Sequence, residues 1–307
     1  MTTVYAGAST WPHAGPGAVV AIGNFDGVHD GHRAVLRRLF ALAAEQCAPS
    51  CVLTFDPAPT AVLAPERHQA RILTLADRVR LLGDEGVNAV VIEPFTRAFA
   101  ENSARWFAED LLGKHLRVRG VVVGYDFRFG HMRKGDVAAL REWLPGVPVV
   151  EVAAWESSGA PVSSSRVRRL VASGAVEDAA ALLGRPHFLR GTVVSGDQRG
   201  RTIGFPTANI VSDVELLPAH GVYAVRVRVD DEGPAHAGVA NIGMRPTFAG
   251  TELRVEVHLL DFAGDLYGHR LAVDLVARVR GEQRFDGVAA LVAQIGRDVE
   301  RAREILR

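Results

Sequence analysis

The sequence of 307 residues lacks several features that would assign a location or a partner directly. It has two cysteines, Cys47 and Cys51, and no second cysteine pair, so a zinc site is not indicated and the low count is typical of a reducing compartment. No apolar run approaches the roughly 18 residues that span a bilayer. The N-terminus has no basic segment followed by an apolar stretch, so a signal peptide is not expected. We therefore expect a soluble, cytoplasmic protein that does not bind a membrane.

An excess of charge of either sign is also missing. The 35 basic residues balance 35 acidic ones, so no global electrostatic field favours a nucleic acid or an anionic membrane. Any binding of phosphate must therefore be local. The 48% of hydrophobic residues suffices for a core in each of two domains, the better expectation at this length. The composition leaves open whether the protein forms an oligomer.

Residues 1–183 alternate short apolar runs with helical patterns. Residues 18–22 are typical of a buried strand, and residues 33–45 have the apolar spacing of an amphipathic helix. Strands this apolar, separated by helices, indicate a parallel sheet covered on both faces. The further predicted strands are 51–55, 89–92, 121–123 and 147–152, with helices at 75–86 and 103–112.

Residues 184–307 have a different pattern, in which apolar strands follow one another without long helices between them. Residues 225–229 alternate strictly, as a half-buried antiparallel strand does. A single helix is predicted at the end, over 288–306. We predict an α/β protein with a parallel-sheet domain, 1–183, and an antiparallel β-barrel domain with a C-terminal helix, 184–307. The predicted barrel strands are 188–194, 222–229, 237–242, 253–260 and 271–279.

The segment from Gly23 to His32 joins the first predicted strand to the first predicted helix. In an α/β sheet this junction lies at the carboxyl end of a strand, where ligands usually bind. The helix start offers unpaired N–H groups to an anion, and the glycines let the backbone approach closely. His29 and His32 are about one helical turn apart, so both can face one phosphate. Taken alone, H-x-G-H is equally compatible with a glycine turn that carries two exposed histidines.

The stretch GNFDGVHDGH resembles the H-x-G-H signature of the nucleotidylyltransferase superfamily, in the form found in bacterial bifunctional riboflavin kinase/FAD synthetases. Three further segments match that family in order, and the resemblance covers almost the whole chain. They are Thr54-Phe55-Asp56-Pro57, Val123-Gly124-Tyr125-Asp126-Phe127-Arg128-Phe129-Gly130 and Ser163-Ser164-Ser165-Arg166-Val167-Arg168.

The resemblance implies a Rossmann-like nucleotidylyltransferase domain that joins FMN to the AMP part of ATP. The FMN phosphate is already anionic, so catalysis depends on alignment and on stabilising the leaving pyrophosphate. By resemblance, His29 and His32 are catalytic residues that contact the ATP phosphates, and Gly23 and Phe25 also bind ATP. The β- and γ-phosphates are held by Ser164, Ser165 and Arg168. Without the family, Ser163 is a plain N-cap and the arginines are a solvated face.

Two departures concern this first half. Relatives commonly have a histidine after the aspartate–proline pair, where this chain has Ala58. The loss of one donor to the transition state costs on the order of 10²-fold in rate, so we expect a working but slower adenylyltransferase. Tyr125 and Asp126 stand where relatives often have glutamate and asparagine.

The segment Gly204-Phe205-Pro206-Thr207-Ala208-Asn209 resembles the P-T-A-N motif of riboflavin kinases and follows the glycine-rich loop 195–201. No P-loop pattern is present, so phosphate must be bound by another device. The resemblance implies that Thr207 and Asn209 hold the Mg²⁺ that accompanies ATP, which suits a cation that prefers a few hard oxygens. Outside this context, Pro206-Thr207 is an ordinary turn.

Glu256 lies in a predicted strand, 253–259, on the same face as His258. The 5′-hydroxyl of riboflavin is neutral, so its phosphorylation benefits from a base, and Glu256 matches the family's catalytic glutamate. A glutamate on a strand is otherwise a solvated side chain, and His258 is interpreted as an ordinary polar residue. Two further family matches are Asn241-Ile242-Gly243-Met244-Arg245-Pro246-Thr247-Phe248 and Asp265-Leu266-Tyr267-Gly268. Phe285 either stacks on the flavin or caps the last helix.

Three hypotheses follow. The first is an enzyme that uses MgATP to convert riboflavin to FMN and then FMN to FAD, with both flavins as products rather than prosthetic groups. The second keeps only the kinase, because Ala58 weakens the other half. The third is a flavin-sensing protein without chemistry, against which the presence of Thr207, Asn209 and Glu256 argues.

Overall fold

A computed structural model describes residues 2–12, 17–195, 203–247 and 250–307. The chain divides into two compact units. The first comprises Met1–Gln69 and Leu75–Ser163, and the second comprises Ala70–Thr74 and Ser164–Arg307. The helices at residues 164–183 therefore belong to the same unit as the β-strands that follow them.

The first unit is a six-stranded parallel sheet with the strand order β1-β4-β3-β2-β5-β6. All four residues of β2 are buried, as expected for a strand covered on both faces. The strands are β1 (Thr3–Tyr5), β2 (Val19–Ile22), β3 (Ser50–Asp56), β4 (Ala89–Pro94), β5 (Gly120–Gly124) and β6 (Val149–Val152), beside a small hairpin of β7 (Glu156–Ser157) and β8 (Ala160–Pro161).

The helices of this unit cover the sheet. Helix α1 buries Val35, Leu36 and Leu39, and it packs closely because β5 begins at Gly120, where a Cβ atom would lie only 2.7 Å from the Leu42 side chain. The helices are α1 (Asp30–Glu45), α2 (Pro59–Leu63), α3 (Leu75–Asp84), α4 (Arg97–Ala100), α5 (Ala104–Trp106), which continues as a π-helix over Phe107–His115, and α6 (Val137–Trp143).

The second unit is a closed antiparallel barrel with the strand order β10-β13-β12-β11-β14-β9. Alternate residues fill its interior, among them Leu189, Val225 and Val257, which are fully buried. The strands are β9 (His187–Val194), β10 (Ala208–Ser212), β11 (Gly221–Val229), β12 (Glu232–Thr247), β13 (Gly250–Leu259) and β14 (Arg270–Gly281).

Within the described ranges, three helices accompany the barrel: α7 (Ser164–Ser173), α8 (Val176–Leu183) and α9 (Val288–Leu306). Helix α8 ends at Gly184, whose left-handed backbone (φ 64°) is typical of a helix C-terminus. Helix α9 packs Val299, Ala302 and Leu306 against the outer face of the barrel. The predicted fold class is confirmed, and among the described residues the structure adds four strands that the sequence patterns did not indicate, β1, β7, β8 and β10.

Candidate active sites

The first site is the junction between β2 and α1. His29 is the N-cap of α1, and its Nδ1 accepts a hydrogen bond of 3.2 Å from the backbone N–H of His32. The two imidazole rings stack with their centroids 3.6 Å apart. The predicted pair is therefore brought together at a helix start, where the free N–H groups and the helix dipole favour an anion.

The electrostatics of this site favour a neutral His32 imidazole before a ligand binds. Burial of the ring lowers the pKa of His32 well below its ordinary value, and the charges of His29, Arg33 and Arg78 lower it further. His32 Nδ1 is buried and has no hydrogen-bond partner among the residues that the structure describes. An anionic ligand would supply both a partner and a compensating negative charge.

The loop before α1 is held in an unusual backbone conformation. Phe25 and Val28 have positive φ angles of 49° and 43°, which residues other than glycine rarely adopt. The carbonyl oxygen of Asn24 accepts hydrogen bonds from Arg78 at 2.8 Å and Thr54 at 3.2 Å, which anchor the loop to α3 and β3. Backbone strain that the surroundings stabilise in this way is typical of functional loops.

Two glycines in this junction allow neighbouring groups to pack directly against the backbone. A Cβ atom at Gly31 would lie 3.0 Å from the carbonyl oxygen of Val162 and 3.1 Å from the ring of His29. A Cβ atom at Gly23 would lie 3.3 Å from the Phe25 ring. Val162, the residue before Ser163, therefore lies beside the first turn of α1.

The two positions that depart from the family pattern lie at strand ends. Ala58 is the N-cap of α2, follows β3, and provides no side-chain hydrogen bond to that helix. Tyr125 follows β5 and is 49% exposed. Both side chains therefore lie at the carboxyl edge of the sheet.

The predicted phosphate-binding residues Ser164, Ser165 and Arg168 lie in the first turns of α7, in the second unit. Arg168 Nε donates a hydrogen bond of 2.8 Å to the carbonyl oxygen of Ala70. Ser165 is exposed, whereas Ser164 and Arg168 are half-buried. The three residues thus present hydroxyl and guanidinium groups at a helix N-terminus.

The second site is a cavity of about 690 Å³ between the outer face of the barrel and α9. Its size and mixed lining suit a small organic ligand. Thr207, Asn209 and Glu256, which the sequence assigns to one site, all line it. The other lining residues are Ile203, Phe205, Val222, Val239, Asn241, His258, Arg280, Glu282, Gln283, Arg284, Phe285, Leu291, Ile295, Asp298 and Val299.

A row of polar residues crosses three neighbouring strands on the wall of this cavity. Glu256 of β13 pairs in register with Asn209 of β10 on one side and with Asn241 of β12 on the other. Directly opposed residues have Cβ atoms about 5 Å apart, so the carboxylate has an amide neighbour on each side. Asn241 lies in a segment that the sequence analysis matched to the family without giving the residue a role.

Asn209 has a side-chain oxygen whose environment suits a ligand. Its Oδ1 atom is buried and has no hydrogen-bond partner in the described part of the chain. The hydroxyl of Thr207, two residues earlier, is exposed. Two hard oxygen groups fit Mg²⁺, which takes few protein ligands when phosphates and waters complete its shell. Within the described ranges, no group of three His, Cys, Asp or Glu residues could form a protein-only metal site.

His258 lies in this site as well, although the sequence indicated only an ordinary polar residue. It lines the cavity, and its Nδ1 lies 2.7 Å from the carbonyl oxygen of Pro206. Phe205 contacts the imidazole edge-on, with ring centroids 5.7 Å apart. The position on the same strand face as Glu256 was visible in the sequence, whereas the partner 52 residues away was not.

A buried ion pair fastens α9 to the barrel at the far wall of the cavity. Arg280 of β14 donates from Nε to both carboxylate oxygens of Asp298, at 3.0 and 2.9 Å. Gln294 donates to the same carboxylate at 2.8 Å. The guanidinium of Arg280 also lies 5.7 Å from the ring of Phe285, which lines the cavity. The loop at residues 196–202 and Phe248 lie outside the described residues.

The structure thus defines a two-unit protein in which an α/β unit with two stacked histidines at a helix start is followed by a barrel with an acid-and-amide-lined cavity. Residues 12–166 match the family model described as FAD synthetase, and residues 183–306 match the model described as riboflavin kinase. The chain belongs to the family of bifunctional riboflavin kinases/FMN adenylyltransferases, as the sequence motifs predicted.

Curated relatives agree over nearly the full length. The bifunctional riboflavin kinase/FMN adenylyltransferase of Escherichia coli K12 is 44% identical over 290 residues, which cover 94% of this chain and 92% of that protein. The proteins of the same name from Pseudomonas fluorescens and Bacillus subtilis are 43% and 35% identical and cover 94% and 93% of this chain, or 93% and 91% of their own lengths.

One solved structure shares the whole fold. A crystal structure described as a macrolide-efflux protein from Streptococcus pneumoniae superimposes with a TM-score of 0.89 at 34% identity, covering 98% of both chains. The present chain has no helix, within the residues described, that is long and apolar enough to cross a membrane.

Proposed function

We propose that this protein phosphorylates riboflavin to FMN in its barrel unit and then transfers AMP from ATP to FMN in its α/β unit, giving FAD and pyrophosphate. The observation that carries the proposal is the position of Glu256, in register between Asn209 and Asn241 on the wall of the cavity. The functional boundary is placed at residue 184, close to the start of the riboflavin kinase match at residue 183.

In the kinase reaction, Glu256 is the general base. It accepts the proton of the riboflavin 5′-hydroxyl while that oxygen forms a bond to the γ-phosphorus of ATP and the bond from this phosphorus to the bridging oxygen breaks. Thr207 and Asn209 would hold the magnesium of the MgATP substrate, which neutralises charge on the phosphates. The buried, unpartnered Oδ1 of Asn209 supports this role. The apolar wall formed by α9 accommodates the flavin ring.

In the adenylyltransferase reaction, a phosphate oxygen of FMN attacks the α-phosphorus of ATP and pyrophosphate leaves. No base is needed because the nucleophile is already ionised. His29 and His32 contact the phosphates at the start of α1, beside Gly23 and Phe25, and Ser164, Ser165 and Arg168 bind the outer phosphates. We further propose a cytoplasmic location, where ATP is available and the free thiols of Cys47 and Cys51 stay reduced.

Incubation of the purified protein with riboflavin, ATP and Mg²⁺ tests both steps at once, with products identified by mass over time. The proposal predicts FMN first and FAD afterwards, and FAD alone when FMN replaces riboflavin. FMN without any FAD would leave a kinase only and contradict the second activity. Consumption of neither flavin would contradict the whole proposal.

A further inference from the structure

The start of β10 is held only weakly by backbone pairing. Among the described residues, the register of β10 with β13 begins at Ala208, which faces Val257, and continues with Asn209, which faces Glu256. Thr207 therefore lies one residue before the first paired position, opposite His258 if the register is continued. The ladder fixes Asn209, but it does not fix Thr207.

Pro206 limits how this segment can be anchored. Proline has no backbone N–H, so its main chain can offer only the carbonyl oxygen as a hydrogen-bonding group. His258 Nδ1 lies 2.7 Å from that oxygen. Because a carbonyl oxygen can only accept, Nδ1 must carry the proton and donate it.

The same imidazole makes a second contact with the segment. The ring of Phe205 meets it edge-on, at an interplanar angle of 80°. Phe205 itself packs against the apolar cluster between the barrel and α9, which includes Val222 and Val299. His258 thus touches the two residues that directly precede Thr207.

We propose that His258 is a positioning residue of the kinase site, which fixes residues 205–207 so that the Thr207 hydroxyl is held beside Asn209. This inference rests on the proposed function, in which Thr207 and Asn209 hold the magnesium of MgATP. Loss of the donor leaves the fold of the barrel and Glu256 in place. It makes Thr207 more mobile, because the β-ladder does not fix this residue. The Mg²⁺ concentration needed for FMN formation therefore rises more than the KM for riboflavin.

Two variants of the full chain separate the hydrogen bond from the shape of the side chain. Asparagine and leucine have the same branched outline, but His258→Asn retains an N–H donor at the position of Nδ1 and His258→Leu does not. We expect His258→Leu to need roughly five-fold more Mg²⁺ for half-maximal FMN formation, the scale of one lost hydrogen bond. We expect His258→Asn to stay within about two-fold of the natural protein, with the KM for riboflavin little changed in both.

A measurement without substrates or metal gives an independent readout. Hydrogen exchange of the peptide that contains Thr207 and Ala208 is expected to be about five-fold faster in His258→Leu, and close to natural in His258→Asn. FAD formation from FMN serves as an internal control, because the proposed adenylyltransferase reaction uses neither Thr207 nor Asn209, and its rate is expected to be the same in all three proteins.

Equal Mg²⁺ dependence and equal exchange in the asparagine and leucine variants would overturn the inference, whether both match the natural protein or both are impaired. If the natural protein makes no FMN, the proposed function fails. The exchange experiment then still decides whether His258 restrains residues 205–207.

Discussion

Asn209 and Glu256 lie directly opposite each other in the register of β10 and β13, and both line the cavity beside α9. The Oδ1 atom of Asn209 is buried without a hydrogen-bond partner among the described residues, and an amide oxygen can only accept. A cation or a hydrogen-bond donor bound beside Glu256 would therefore satisfy this oxygen. In the proposed function, this pair connects the geometry of the barrel with the transfer of a phosphoryl group.

Replacement of the carboxylate tests its role as the base. We expect Glu256→Gln to reduce the rate of FMN formation by about 10²–10⁴-fold, because the amide cannot accept the hydroxyl proton while it keeps the shape of the side chain. The rate is measured by separating FMN from riboflavin after short incubations with MgATP. FAD formation from supplied FMN should be unchanged, and a variant that phosphorylates riboflavin at the natural rate would refute the assignment.

Replacement of the amide should separate function from stability. We expect Asn209→Leu to abolish measurable riboflavin phosphorylation without lowering the melting temperature, because it removes a buried oxygen that has no partner in the described structure. Calorimetry and the FMN assay measure the two effects. A melting temperature lower by several degrees would show that Asn209 stabilises the fold, which would contradict a role confined to ligand binding.

Much of the fold could be predicted because its signals are local. Four consecutive apolar residues in β2, followed by glycines and two histidines, predicted the strand–loop–helix junction that the structure contains. Strict alternation at residues 225–229 similarly predicted β11. Strand β10 was missed because its first residues, Ala208 and Asn209, belong to a motif that contains proline and that alone is typical of a turn.

The parts of the site that escaped prediction depend on contacts between distant residues. The sequence placed His258 on the face of Glu256, but the hydrogen bond to Pro206 follows only from the pairing of β10 with β13. Likewise, the ion pair of Arg280 with Asp298 requires that α9 folds back onto β14. Periodicity identifies the face of an element, whereas the closure of the barrel decides which faces meet.

His187 predicts a pH dependence of barrel stability. It is fully buried at the start of β9, and its Nε2 donates to the carbonyl oxygen of Leu216 at 3.0 Å. Burial lowers the pKa of His187 to about 4, against 6.5 when exposed, while the hydrogen bond to Leu216 opposes this shift and Arg185 adds to it. The folded state therefore keeps the ring neutral where the unfolded chain protonates it.

The direction of the effect follows from which state takes up the proton first. Above pH 6.5 both states are neutral, and as the pH falls from 6.5 to about 4 only the unfolded chain gains a proton, so the free energy of unfolding decreases by about 3 kcal/mol. Hydrogen exchange of β9 and β14 peptides at several pH values measures it. His187→Gln, which keeps a donor for Leu216, should remove most of this dependence, and an equally steep profile in that variant would contradict the prediction.

Ala58 offers a gain-of-function experiment in the first unit. It is a half-buried N-cap with an extended backbone (φ −59°, ψ 143°). Histidine adopts this backbone conformation without strain, so Ala58→His should fold normally. A histidine donor at this position, which the resemblance to the family implies, is expected to raise the rate of FAD formation by up to about 10²-fold. The rate is measured with FMN and MgATP under saturating conditions. Ala58→Leu controls for side-chain size, and FMN formation in the barrel should be unaffected in both variants. If the histidine and leucine variants form FAD at the same rate as the natural protein, the prediction is wrong. The start of α1 would then stabilise the phosphates sufficiently, and Ala58 would not slow the reaction.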